Sequence, residues 1–169
     1  IAGIYATGQK PTGTRDPFGL RRAALGLLRT SIERGLDLDL QQLIGQAVAA
    51  ARDDMARVAT GQGRSLSAID AEKLAVEVYD YVLERLRAYY VEGTADITVS
   101  VEAFDAVLAT RPTSALDFDA RLRALVQFLR LPDAASLAAA NKRIANILKK
   151  VAEPVREAVD ESQLIDPAE

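Results

Sequence analysis

The stretch GQKPTGTRDPFGLRR, residues 8–22, holds the spacing most suggestive of chemistry in this chain. Gly8 and Gly13 flank four residues, as the glycines of a phosphate-cradling loop do. Such a loop follows a strand. It continues with a lysine that reaches the phosphates and a hydroxyl that holds magnesium. Here Thr14 stands where the lysine belongs and Arg15 where the hydroxyl belongs. Lys10 lies inside the loop, and the segment before it is a short apolar stretch. The pattern fails at both positions that carry the chemistry, so the loop reads as the lead-in to a helix.

That helix raises a different question. At 100° per residue, Phe18, Leu20, Ala24, Leu25, Leu27, Leu28 and Ile32 share one broad apolar face, and Arg21 falls at its centre. A guanidinium on such a face needs a partner, because burying its charge alone is costly. Arg21 is therefore expected to be a buried structural charge that ties down the loop through carbonyls or a carboxylate such as Asp16. Arg85, in the apolar sector of a later helix, repeats the pattern and calls for a buried partner too. Arg22 and Arg29 lie at the edge of the first apolar face, with Glu33 one turn beyond Arg29 for an ion pair. Lys10, Arg15 and Arg22 are the candidates for an external anion. A solvated basic edge is the plainer reading of each taken alone.

A second basic surface lies near the end. In AAANKRIANILKK, Leu137, Ala140, Ile144, Ile147, Leu148 and Val151 turn one way, while Lys142, Arg143, Asn146, Lys149 and Lys150 turn the other. Lysine and arginine suit phosphate contacts, and the Asn146 amide is able to read a base edge. The alternative is an ordinary solvated helix face. No exposed aromatic platform for base stacking can be identified, since the tyrosines map to the buried sides of a long helix.

Other chemistry is narrowed by what is missing. The chain has no His and no Cys, which removes disulfides, the usual zinc ligand sets and imidazole bases. Asp53 and Asp54 are neighbours on a helix and do not face each other, so they are poor ground for acid–base work. A catalytic centre and a metal site are not expected, and an independent enzyme is the weakest reading. The formal net charge is −3 over 169 residues, so any nucleic-acid surface must be local. No apolar run is long enough to span a bilayer. The start IAGIYATG and the end SQLIDPAE read as cuts inside a longer chain.

The elements that must position these residues are helices throughout. Asp16-Pro17 reads as a helix start and Gly35 as its stop. Asp39 opens a second helix, and TGQGRS (residues 60–65) breaks the chain and marks a domain boundary. One long helix is expected over 69–91, a short one over 101–110, and RPTS breaks the chain again. A fifth helix carries Phe118, Leu122 and Leu129. A sixth follows LPD and ends or kinks near Pro154. The predicted class is all-α: a multi-helix bundle of two packed helical subdomains.

Four blocks, GQKPTGTRDPFGLRRAALGLLR, YDYVLERLRAYY, FDAVLATRPTSALDFDARLRAL and AAANKRIANILKK, resemble in order the beta subunit of the bacterial heterotetrameric glycyl-tRNA synthetase. The resemblance runs from about Ile4 to Lys150. It implies that residues 1–62 end an HD-like helical domain and that 66–169 begin a DALR-like anticodon-binding domain. It implies a role in handling tRNA-Gly, with Lys10, Arg15, Arg22, Lys142, Arg143, Asn146, Lys149 and Lys150 as candidate contacts. The alpha subunit and the rest of the beta subunit would be its partners and the cytoplasm its place. ATP would be used at the alpha subunit, with no cofactor on these residues. The HD label names a His-Asp metal motif, and without His no such site carries over. A helical protein–protein scaffold without RNA contact is the rival reading.

Overall fold

The computed structural model describes residues 1–61, 70–93 and 95–150. The described residues form eight helices: α1 (Ala2–Ala6), α2 (Leu20–Glu33), α3 (Leu40–Gly61), α4 (Ala71–Glu84), α5 (Leu86–Val91), α6 (Val101–Ala109), α7 (Ala115–Phe128) and α8 (Ala134–Leu148). Apart from one isolated bridge between Thr12 and Arg15 there is no β-structure among them, so the all-α expectation holds. No helix among them is long and apolar enough to cross a membrane.

Local chemistry sets several helix ends. The Asp39 carboxylate accepts the Gln42 amide, the Asp70 carboxylate that of Lys73, and the Ser100 hydroxyl that of Ala103. Each satisfies an otherwise orphaned first-turn N–H. Gly35 ends α2 at φ 64, with its amide on the Ile32 carbonyl and the Leu36 amide on that of Ser31. This paired closure needs a residue that tolerates the left-handed region.

Two expected elements differ. The first long helix starts at Leu20, not at Asp16-Pro17, because Asp16 to Gly19 form a turn closed by the Gly19 amide on the Asp16 carbonyl. The helix expected over 69–91 is two helices. The Arg85 side chain donates through Nε to the Tyr81 carbonyl at 3.3 Å, the acceptor its own amide would use in an unbroken α-helix. That amide turns to the Val82 carbonyl instead, and the helix breaks there. The segment 62–69, Pro154 and the tail fall outside the described residues.

Packing divides the chain into two compact units, residues 1–127 and 128–169. In the first, α4 packs against α1, α2 and α3, and α5 against α6. Leu28, Val78, Leu83, Leu86, Phe104 and Leu122 are among its fully buried side chains. Phe118 lies against Phe104 and Tyr90, with ring centroids 5.2 and 6.2 Å away. Val76 of α4 is 51% exposed.

The RPTS segment does more than break the chain. Its Arg111, Pro112 and Thr113 carbonyls accept from Gln41 Nε2 (3.2 Å), the Tyr79 hydroxyl (2.6 Å) and the Leu40 amide (2.8 Å). Ser114 then caps α7 through the Asp117 amide. A second clasp ties α5 to α7: the buried Tyr90 hydroxyl donates to Asp119 at 2.6 Å, and Arg123 bridges Asp119 to Asp96.

Two substitutions test this account. Tyr79→Phe strands the Pro112 carbonyl and should cost about 1–3 kcal/mol. Gly35→Ala places a Cβ at positive φ and should cost about 1 kcal/mol or more. Both are read as lower urea midpoints with unchanged slopes.

Candidate functional site

The lead-in loop is braced from α2. The Asp16 carboxylate accepts the Leu20 amide at 2.8 Å and the Arg21 amide at 3.0 Å. It thereby does for α2 what the N-cap Gly19, lacking a side chain, cannot. The Arg21 amide, helped by the Leu20 amide and the nearby Arg21 and Arg22 charges, holds the Asp16 carboxyl below the usual carboxylate value. The Arg21 guanidinium donates to the Gly13 carbonyl. Gly13 itself sits at φ 49 in a tight turn closed by two main-chain hydrogen bonds between Thr12 and Arg15. Arg21 thus ties down the loop through a carbonyl, and Asp16 takes the helix amides. Both are half-buried rather than fully buried.

The three loop candidates for an external anion separate. Lys10 is engaged: Nζ lies 2.6 Å from the Glu77 carboxylate and 5.7 Å from the Tyr5 ring centre. Arg15 and Arg22 are exposed, with no side-chain partner among the described residues. Arg85 is half-buried, and its partners are the Tyr81 carbonyl and the Tyr81 ring, 4.9 Å from the guanidinium carbon.

The second basic surface is laid out as its wheel predicts. Lys142, Arg143, Asn146, Lys149 and Lys150 are all exposed, and none has an acidic partner among the described residues. Lys142, Arg143, Asn146 and Lys150 line one shallow depression, floored by Ala139 and Ile147. Basic side chains in the last turn also complement the helix dipole. The opposite, apolar face is largely uncovered among the described residues. Leu137, Ile144 and Ile147 are 56%, 54% and 55% exposed, and Ala134 is the one buried residue of α8. Periodicity identifies an apolar face; it carries no information on whether anything covers it.

One grouping was not read from the sequence. Arg21, Arg22, Arg85 and Arg87 line a single cleft between α2 and the α4–α5 junction. Arg87 was missed altogether. It is bound to Glu84 and to Asp105 at 2.7 Å, and it lies over the Phe104 ring at 4.6 Å. The signal for the cleft was present in the two arginines centred on apolar helix faces, but their convergence depends on how the helices pack. No cluster of three or more acidic side chains suited to a metal ion occurs among the described residues.

Comparison with known proteins places this geometry in context. A model of the glycyl-tRNA synthetase beta subunit family matches residues 1–109. The chain is 44% identical over all 169 residues to the glycine–tRNA ligase beta subunit of Xanthomonas campestris pv. campestris strain 8004, and to that of Salmonella typhi. It is 43% identical, again over 169 residues, to the beta subunit of Pseudomonas aeruginosa strain LESB58. In each case it spans 22% of the relative's length.

The Asp16 brace has a pH signature. A carboxyl whose folded value is depressed adds stability above its unfolded value, and that stability is lost as pH falls through the folded value. Asp16→Asn should therefore flatten the fall in melting temperature below about pH 4, measured by thermal denaturation across an acid series.

Proposed function

Because this chain belongs to the glycyl-tRNA synthetase beta subunit family, we propose that it supplies a tRNA-contacting surface to glycine–tRNA ligase. Its residues hold tRNA-Gly by phosphate contacts and limited base reading, so that the terminal adenosine reaches an active site on the alpha subunit, where ATP is used. The chain contributes positioning, not bond making. On this reading residues 1–62 close an HD-like helical domain and 66–169 open an anticodon-binding domain, within a cytoplasmic enzyme.

The observation that supports this best is α8. Four cations and an amide stand exposed on and just beyond one short helix, with no carboxylate on them among the described residues. Phosphates are the natural complement of such a strip, and Asn146 lies among the cations as a neutral hydrogen-bonding group able to discriminate a base edge. Arg15 and Arg22 add exposed cations in the other compact unit. Lys10 contributes least, since Glu77 already occupies it.

The uncovered apolar face of α8 favours a second reading, a helical module that docks on other protein surfaces. The two readings use opposite faces of one helix and separate experimentally.

Binding of the full chain to tRNA-Gly and to a tRNA of another specificity should weaken steeply with salt, each phosphate contact adding about 0.7–0.9 to the log–log slope. The triple variant Lys142→Glu, Arg143→Glu, Lys149→Glu should bind more weakly and with a shallower slope. Unchanged affinity would remove α8 from the interface. Self-association that Ile144→Ser abolishes, with RNA affinity absent in the wild type, would favour the docking reading.

A further inference from the structure

We infer that the cleft between α2 and the α4–α5 junction is a phosphate-binding site, with Arg22 as its principal contact and Arg21 and Arg85 as supporting donors. The cleft has a volume of about 350 Å³ and lies wholly within the first compact unit. The Leu25 and Ala88 side chains form its apolar part; four guanidiniums and the Glu84 and Glu92 carboxylates form the rest.

The arginines differ in whether a carboxylate already matches them. Arg29, Arg52, Arg57, Arg111, Arg121 and Arg123 each hold a carboxylate. In the cleft only Arg87 does, and it takes Glu84 with it. Arg21 uses its side chain on the Gly13 carbonyl, Arg85 uses Nε on the Tyr81 carbonyl, and Arg22 has no side-chain partner among the described residues. A neutral carbonyl satisfies one donor and does not neutralise the charge. A guanidinium carries several N–H donors in a planar fork, so most of the donors on these three side chains remain unused. Asp16 lies near the Arg21 and Arg22 charges, yet none of the three arginines has a carboxylate bonded to it among the described residues. Lining one cleft they repel one another, and a tetrahedral dianion or diester is the group whose charge and acceptor geometry relieve that repulsion.

The surroundings favour this further. Tyr81 beneath Arg85 and the apolar Leu25 and Ala88 lower the local dielectric, which strengthens any ion bound there. Arg85 is also held in place. The bond that breaks the α4–α5 helix is the same bond that fixes its guanidinium, so little side-chain entropy is lost on binding. Glu92 is the one opposing group without a partner among the described residues, and it sets the expected sign of a second variant. If the phosphate belongs to RNA, the inference deepens the proposed function and rests on it; if it belongs to a free phosphate compound, it stands apart.

The test uses the full chain with two probes: inorganic phosphate by isothermal titration, and a labelled RNA hairpin of arbitrary sequence by anisotropy. The RNA arm is run in the charge-reversed α8 background, so that failure of the α8 reading leaves the cleft measurement intact. Arg22→Gln breaks no side-chain hydrogen bond or ion pair among the described residues and should leave the native melting temperature close to that of the wild type. It should weaken binding at least about tenfold, the loss of one charge-assisted contact. Glu92→Gln should strengthen binding, and Arg85→Gln, with its fold checked by circular dichroism, should weaken it. Phosphate binding that Arg22→Gln weakens identifies a free phosphate ligand. RNA binding alone, weakened in the same way, identifies a backbone phosphate. Failure of both probes to bind, or binding insensitive to Arg22→Gln, overturns the proposal.

Discussion

Three consecutive main-chain carbonyls, those of Arg111, Pro112 and Thr113, lock the first compact unit together. The Pro112 carbonyl is buried and must be paired, and it takes the Tyr79 hydroxyl of α4, while the exposed carbonyls on either side take donors from the start of α3, the Gln41 side chain and the Leu40 amide. The segment suits the task. Pro112 is fully buried and has no N–H to leave stranded. Arg111 takes a positive φ of 49, uncommon for an arginine, and is held there by the Asp80 carboxylate and the Tyr79 ring. The knot ties α3 and α4 to the segment that leads into α7. Glu84 and Arg85 lie at the far end of α4, at the arginine cleft.

The helices were largely legible in the sequence, because 3.6-residue periodicity and capping residues are local signals. Gly35 and Asp39 mark ends that the structure keeps. What escaped was the outcome of competition between donors and acceptors. Asp16 looked like a cap one turn too early, since its carboxylate reaches forward to amides that its position in the sequence does not disclose. The break at Arg85 has no glycine or proline to announce it; a side chain takes a carbonyl from its own backbone. RPTS read as punctuation because its partners lie some 30 to 70 residues away.

The candidate site divides in the same way. That Lys142, Arg143, Asn146, Lys149 and Lys150 share a face is a matter of helical angle, and a wheel suffices to find it. That Lys10 is occupied by Glu77, or that Arg22 shares a cleft with Arg85, depends on packing between helices far apart in sequence. A net charge of −3 hides the distinction that matters. Among the described residues of the first unit, most arginines already hold a carboxylate within a turn or across one helix contact. The unmatched minority define where an anion would go.

The exposure of α8 bears on how that helix holds its shape. With Ala134 as its one buried residue, α8 gains little from burial. Its helicity rests on local propensity, and the run AASLAAANKRIANIL is rich in alanine, the strongest helix former. A helix of this length held by propensity alone is marginal in water. Its amides should exchange with solvent far faster than those of α4. Its ellipticity should fade gradually on warming, ahead of the cooperative melting of the core. A partner laid along either face would then act first by completing the helix it binds.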